Sequence, residues 1–379
     1  MNIALLGFGT VGYGVYETSK GVDGLNISYV LDLKKHDDIT AKSVTDISPI
    51  LEDSSVDTVV ELIGGLHPAY EFVSSALNAG KNVVTANKFL ICEYYEELNS
   101  LAKEKGVYLR YTASVGGGIP WLVNLQRIKR ISPVKKICGI FNGTTNFILD
   151  GMHKNGSDFA DMLKEAQRLG YAEADPSADI DALDTVRKII ISANIAFDCV
   201  LENSSADVFG IRNITFKDIK VAEKENKVCR LLASAVKTEK GYSVFTEPTF
   251  IDKSSPFASV GDSFNRISVD SVLEGETAFF GYGAGRYPTA YAVVNDLVDV
   301  SAGKCEPYSK AFEKMSADNS LTRNTYYIRT NKPDALPSDI IDRPMGEGVL
   351  TKPISVSEMH SLSKNIMKED SGFFFAAVN

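Results

Sequence analysis

Over the first 125 or so residues, short apolar runs alternate with stretches whose apolar residues recur at helical spacing. The runs "NIALL", "NISYVLD", "DTVVELI", "KNVVTA" and "VYLRYTA" lack the polar alternation of a half-exposed strand, so they predict five strands buried on both faces. Between them, "LHPAYEFVSSALNAG" and "KFLICEYYEELNSLAKEKG" predict amphipathic helices that end at glycine. Strands separated by helices predict an α/β fold with a Rossmann-type, doubly wound parallel sheet over residues 1–128.

After "GGGIPWL" the pattern changes, and residues 129–285 predict an α+β second domain. Its expected helices are "FADMLKEAQRLG", "DALDTVRKIIISANIAF" and the long run "ITFKDIKVAEKENKVCRLLASAVK"; its expected strands are "VKKICGIF", "YSVFTEPTFI", "RISVDS" and "TAFFGYG". "RYPTAYAVVNDLVDVSAG" predicts a helix starting near Pro288, and 286–303 is expected to pack back on the first domain. The remaining tail, 304–379, is polar, with strand-like "NTYYIRT" and "GFFFAAV" flanking a helical "SVSEMHSLSKNIMK".

Composition narrows the functional classes. The chain has 379 residues, 44% of them apolar, enough for a large core. Its formal net charge of −9 argues against nucleic acid and anionic membrane as partners, since both are bound through excess Lys and Arg. "KIIISANIAF" is too short to span a bilayer and no cationic leader opens the chain, so the expected address is the cytoplasm and the expected partner a small molecule. The five cysteines are scattered without a CxxC pair, which predicts reduced thiols. Four histidines at unrelated spacings give no His-based metal site and little support for a Ser-His-Asp relay.

Against that background three stretches carry candidate chemistry. Gly7, Gly9 and Gly12 form G-x-G-x-x-G between the first strand and a helix, where backbone amides can face a pyrophosphate; the same glycines also suit a plain tight turn. Asp32, twenty residues past Gly12, can accept hydrogen bonds from a ribose, which favours NAD(H), whereas Lys34 and Lys35 can pair with the 2'-phosphate of NADP(H). Lys88 follows the fourth strand at the edge where open α/β sheets bind ligands, although a lysine there is often only solvated. In "YAEADPSADIDALDTVRK", Pro176 and the missing glycine and terminal glutamate rule out a calcium loop. There Asp184 and Lys188, four apart on one predicted helix, form either a surface ion pair or, held against an apolar helix, a site for an amino-acid ammonium with Lys188 moving a proton. "FNGTTNFIL" supplies the hydroxyls and amides of Asn142, Thr144, Thr145 and Asn146 between a strand and a helix and reads as a helix cap by Thr or Asn, and "FFGYGAGRYP" reads as a turn or a further cofactor contact.

Taken together, "GFGTVG", "ELIGG", "VVTANK", "SVGGGIP", "NGTTNFIL", "LGYAEADPSADIDALDTVRK" and "GYGAGRYPTA", in this order over about the first 300 residues, resemble the homoserine dehydrogenase family. The resemblance implies reversible NAD(P)-dependent interconversion of L-aspartate 4-semialdehyde and L-homoserine, on the branch leading to threonine and methionine. It implies a dinucleotide-binding first domain, and a second domain that binds substrate and forms a homodimer. Carried over by position, it implies Gly9, Thr10, Val11 and Gly12 as the cofactor loop and Gly281 as a further cofactor contact. It likewise implies Lys88 as the lysine at nicotinamide and substrate, Lys188 as the proton donor, and Glu173, Asp179 and Asp184 as substrate contacts.

Three departures qualify the match. Relatives hold a structural sodium ion through a glutamate and carbonyls corresponding to Val115, Gly117 and Ile119, but Thr112 stands at the glutamate position, which counts against the ion. Leu31 replaces an arginine suited to the 2'-phosphate, leaving NAD or dual use. The tail holds about half of the regulatory ACT domain found in relatives, so feedback by threonine is expected to be weak or absent. Competing readings are an aldehyde dehydrogenase with a cysteine nucleophile and a non-catalytic nucleotide-binding regulator.

Overall fold

The computed structural model describes residues 1–309 and 312–379. They form two compact units, the first comprising 1–127, 194–200 and 282–313, the second 128–193, 201–281 and 314–379.

The first unit is built on a six-stranded parallel sheet: β1 (Asn2–Leu6), β2 (Asn26–Leu31), β3 (Lys42–Val44), β4 (Thr58–Glu61), β5 (Asn82–Thr85) and β6 (Leu109–Arg110). Their order is β3-β2-β1-β4-β5-β6. Ile3, Leu5, Val30, Val60 and Val84 are fully buried, with Val293 and Leu297 of the helix Arg286–Ser301 in the same core cluster. The continuous apolar runs are thus explained by burial on both faces. Strand order reverses direction between β1 and β4, the switch point at which such sheets open a crevice beyond their carboxyl ends. In register, Leu6 pairs Leu31 and Glu61, and Glu61 pairs Thr85, so Gly7, Asp32, Leu62 and Ala86 leave the sheet along one edge.

Two local expectations change here. Five strands were expected and six form, because β3 is a three-residue edge strand, "KSV", with no apolar pattern to reveal it. The fifth expected strand, "VYLRYTA", contracts to Leu109–Arg110 and turns at once into a short 3-10 helix, Thr112–Ser114.

The second unit holds an 11-stranded sheet whose main path runs Gly275–Tyr282, Phe264–Ser271, Val134–Ile140, Lys227–Thr238, Gly241–Asp252, Phe374–Val378, Arg323–Arg329, Gly348–Thr351, Ile341–Met345. Both strand-like runs of the tail lie in it: Arg323–Arg329 and Phe374–Val378 pair antiparallel, and the latter lies parallel to Gly241–Asp252.

The long helix expected over "ITFKDIKVAEKENKVCRLLASAVK" is wrong in its second half. The helix covers Phe216–Lys224, begins at a Thr215/Asp218 capping box, and gives way at Asn226, whose φ of +58° breaks it. Lys227–Thr238 is then a strand, closing a hairpin with Gly241–Asp252 and pairing Val134–Ile140 on its other side. Cys229 through Ala235 are all buried, so this strand shows no period of two, and an apolar run of that kind cannot be told from a helix by periodicity.

Candidate functional site

Within the first unit the glycine-rich loop separates into two roles. Gly7 has φ +94°, and a Cβ there would lie 3.0 Å from the carbonyl of Leu62; a Cβ on Gly12 would lie 2.2 Å from the Gly7 oxygen. The fold itself therefore demands those two glycines. Gly9 differs: a Cβ there would meet nothing within 4 Å, so its bareness leaves room for something outside the chain. The helix Thr10–Ser19 starts directly after it, with no side-chain cap and no acidic residue in its first turn. The first amides of the helix, those of Thr10 and Val11 among them, have no intrahelical acceptor, which makes the opening a fit for a diphosphate.

Asp32 is fastened to this loop, its Oδ2 accepting the Phe8 amide at 2.8 Å and its Oδ1 the Lys34 amide at 3.2 Å. Burial pushes its carboxyl up, but these amides and the nearby His36 outweigh it and hold it below the ordinary range. Lys34 and Lys35 are exposed beside it. Lys88, half-buried, is the first residue of the helix Lys88–Glu93, which Asn87 caps by accepting the Leu90 amide at 3.1 Å.

The second unit gathers side chains instead. On the helix Leu183–Phe197, Lys188 donates to Asp184 Oδ2 at 2.7 Å and to the Phe141 carbonyl at 2.8 Å. Both side chains are under 10% exposed, so the surface-pair reading fails. Asn142 joins the cluster: its Nδ2 donates to Asp179 Oδ1 at 2.7 Å and to Asp184 Oδ2 at 2.9 Å, while its Oδ1 accepts the Thr145 amide at 2.8 Å. It caps a helix, as expected, and also holds two carboxylates, which its sequence context did not signal. Asp181 is drawn away by Arg212, through two contacts of 2.7 and 2.6 Å. Glu173 is exposed, and its side chain makes no hydrogen bond or ion pair among the described residues. Gly281 lies near the end of the strand Gly275–Tyr282, in the second unit.

The donors present do not fit a resident sodium ion. The Thr112 hydroxyl lies 2.6 Å from Asp296 Oδ1 and 2.7 Å from the Tyr308 hydroxyl, and its amide donates to Asp296 Oδ2 at 3.0 Å. Asp296, fully buried and pushed up by that burial, is balanced by the Arg110 guanidinium at 3.6 Å, which stacks on the Tyr308 ring. The Ile119 carbonyl accepts the Trp121 amide at 2.7 Å. The Asp296 carboxylate is thus already committed to Thr112 and Arg110, and position 112 supplies a hydroxyl where a hard cation favours an anion. Two of the cysteines are held against a nucleophilic role: burial pushes Cys138 up and Cys305 up to about 11, the opposite of what a cysteine nucleophile requires.

A family described as "Homoserine dehydrogenase, NAD binding domain" matches residues 7–112, and one described as "Homoserine dehydrogenase" matches 120–298. The chain is 41% identical to homoserine dehydrogenase of Neisseria gonorrhoeae over 314 residues, covering 79% of this chain and 72% of that protein. It is 36% identical to that of Corynebacterium glutamicum over 395 residues, covering 98% and 86%. The crystal structure of a homoserine dehydrogenase from Thiobacillus denitrificans superposes with a TM-score of 0.87 at 32% identity, covering 100% of this chain and 98% of that one. A hyperthermophilic archaeal homoserine dehydrogenase mutant in complex with NADPH superposes with a TM-score of 0.68 at 26% identity, covering 81% and 98%.

Proposed function

The chain belongs to the homoserine dehydrogenase family, and from that premise we propose that it interconverts L-aspartate 4-semialdehyde and L-homoserine with NAD(H) or NADP(H), in threonine and methionine biosynthesis. The nicotinamide, when bound, supplies or takes up the hydride. Gly9, Thr10, Val11 and Gly12 receive the diphosphate on backbone amides, and Asp32 takes a ribose hydroxyl while Lys34 and Lys35 stand where a 2'-phosphate would pair, which supports use of either cofactor. Gly281 is assigned a cofactor contact by position in the family motif alone.

The observation that carries the reading is the Asn142 cluster. Two carboxylates and one ammonium leave an excess negative charge, suited to the α-ammonium of an amino-acid substrate. Asp179 and Asp184 bind it. Lys188, buried beside them, donates a proton to the developing alkoxide and recovers it from solvent, while Lys88 is assigned to the nicotinamide and substrate by position in the family motif alone. Glu173 is assigned a substrate contact by position in the motif; its exposed side chain would have to turn toward the substrate. The edge strand Gly275–Tyr282 leaves Phe280 more than half exposed, which supports a homodimer formed through the second unit. No helix among the described residues is long and apolar enough to cross a membrane, and we place the enzyme in the cytoplasm. Aspartate 4-semialdehyde should drive oxidation of NADH, NADPH or both by the purified protein; no oxidation with either cofactor would overturn the assignment.

A further inference from the structure

Glu61, the last residue of β4, is fully buried, and no cation lies within ion-pair distance of it among the described residues. A buried carboxylate of that kind persists only where hydrogen bonds replace water. Its partners connect two segments of the crevice edge. Oε1 accepts the amides of Ile63 at 2.8 Å and Gly64 at 3.0 Å, which shapes the loop that leaves β4. Oε2 accepts the Thr85 hydroxyl at 2.6 Å, at the end of β5. The Thr85 oxygen in turn accepts the Asn87 amide at 2.9 Å. Asn87 closes the circuit, donating through Nδ2 to the Gly65 carbonyl at 2.7 Å while its Oδ1 caps the helix that starts with Lys88.

From Glu61 through Thr85 to Asn87, each link is therefore a hydrogen bond of 2.6 or 2.9 Å between buried groups, and Asn87 is the residue that directly precedes Lys88. We propose that Glu61 is a positioning residue for Lys88, acting through Thr85 and Asn87. The proposal rests on the reading that Lys88 acts at the nicotinamide and substrate. Glu61 touches no reacting atom. It ties the loop after β4 to the segment after β5 that leads into Lys88, and its charge, satisfied by three donors, makes Thr85 donate in one direction only. With the Thr85 proton committed to Glu61, its lone pairs are left for Asn87.

Glu61→Gln keeps the volume and one acceptor but presents an NH2 group to Thr85, forcing the hydroxyl to reorient. Thr85→Val removes the link at nearly constant volume, and serves as the second variant if Glu61→Gln folds poorly. Each should lower kcat by about 10- to 100-fold, as expected for misplacement of a reacting group by about 1 Å. Affinity for NADH, read by fluorescence titration, should change less than about twofold.

The decisive readout is coupling. In a Lys88→Ala background, measured by single turnover with excess enzyme, Glu61→Gln should change the rate less than about twofold, because the group it positions is already gone. A full-sized loss in that background, or no loss in the wild-type background, would overturn the proposal. Wild-type turnover of Lys88→Ala alone would overturn the reading of Lys88, and with it the proposal.

Discussion

The cradle around Gly9 and the cluster around Asn142 are built by opposite means. The first consists of backbone, and what defines it is a missing Cβ in front of unpaired amides. The second consists of side chains, and what defines it is a set of charges that satisfy one another out of water. A backbone cradle should therefore fail when an atom is added, and a charged cluster when one is removed. The first binds a group that many proteins bind; the second supplies the functional groups that distinguish this reaction.

Substitutions in the cradle sharpen that contrast most. Gly12→Ala places a methyl 2.2 Å from the Gly7 oxygen, so the loop must move; a stability loss of several kcal/mol, about 3 or more by analogy with overpacked sites, should accompany loss of cofactor binding. Gly9→Ala meets no protein atom and has a φ of −73°, so its melting temperature should stay within about 1 °C of wild type while cofactor affinity falls about tenfold. Equal melting-temperature losses in the two variants would contradict the division of roles.

Removing an atom group tests the other side. Asn142→Ala takes the shared donor from Asp179 and Asp184; destabilisation of about 1–3 kcal/mol by denaturant titration, with a raised KM for homoserine, is the expected result. Restoration by Asn142→Asp would contradict it, since a third carboxylate can donate nothing.

A further prediction contrasts this cluster with an unrelated buried group of the same unit. Burial lowers the His153 pKa from 6.5 to about 4, and its Nε2 accepts the Cys229 amide at 2.8 Å. Because the folded pKa lies below the unfolded one, the unfolded chain takes the proton first. His153 thus contributes its stability above about pH 6.5, and that contribution, at most about 3 kcal/mol, is lost as pH falls towards 4. His153→Gln should flatten the stability curve over that window. The smallest effect concerns the loop near Thr112: replacing sodium by potassium in the buffer should move the melting temperature by less than about 1 °C, and a larger stabilisation by sodium would contradict the reading that the donors there do not fit the ion.

How much of this was legible in the sequence follows from distance along the chain. The glycine spacing and the four-residue offset of Asp184 and Lys188 are local, and periodicity alone puts the members of each near one another, whereas Asp32 meets the loop across 24 positions and was legible only through its motif spacing at the end of the second strand. Burial is not local. Asp184 and Lys188 read equally well as a solvated pair until the fold encloses them, and Asn142 reaches Asp184 across 42 positions with nothing in either segment to announce it. Glu61 reads as one more residue of a buried strand, since its partners at Thr85 and in the following loop appear only when β4 and β5 are in register. The five acidic residues of "EADPSADIDALD" look alike in sequence. The fold sorts them, sending Asp181 to Arg212, leaving Glu173 and Asp175 exposed, and retaining Asp179 and Asp184 for the cluster.

The account turns on Lys188 as the proton donor of the hydride-transfer reaction. Its direct test is turnover of aspartate 4-semialdehyde by Lys188→Ala, with NADH or NADPH binding measured on the same sample. Turnover should fall by about three orders of magnitude or more, at nearly unchanged cofactor affinity. Turnover within about tenfold of wild type would contradict the role, because the reaction would then have proceeded without it.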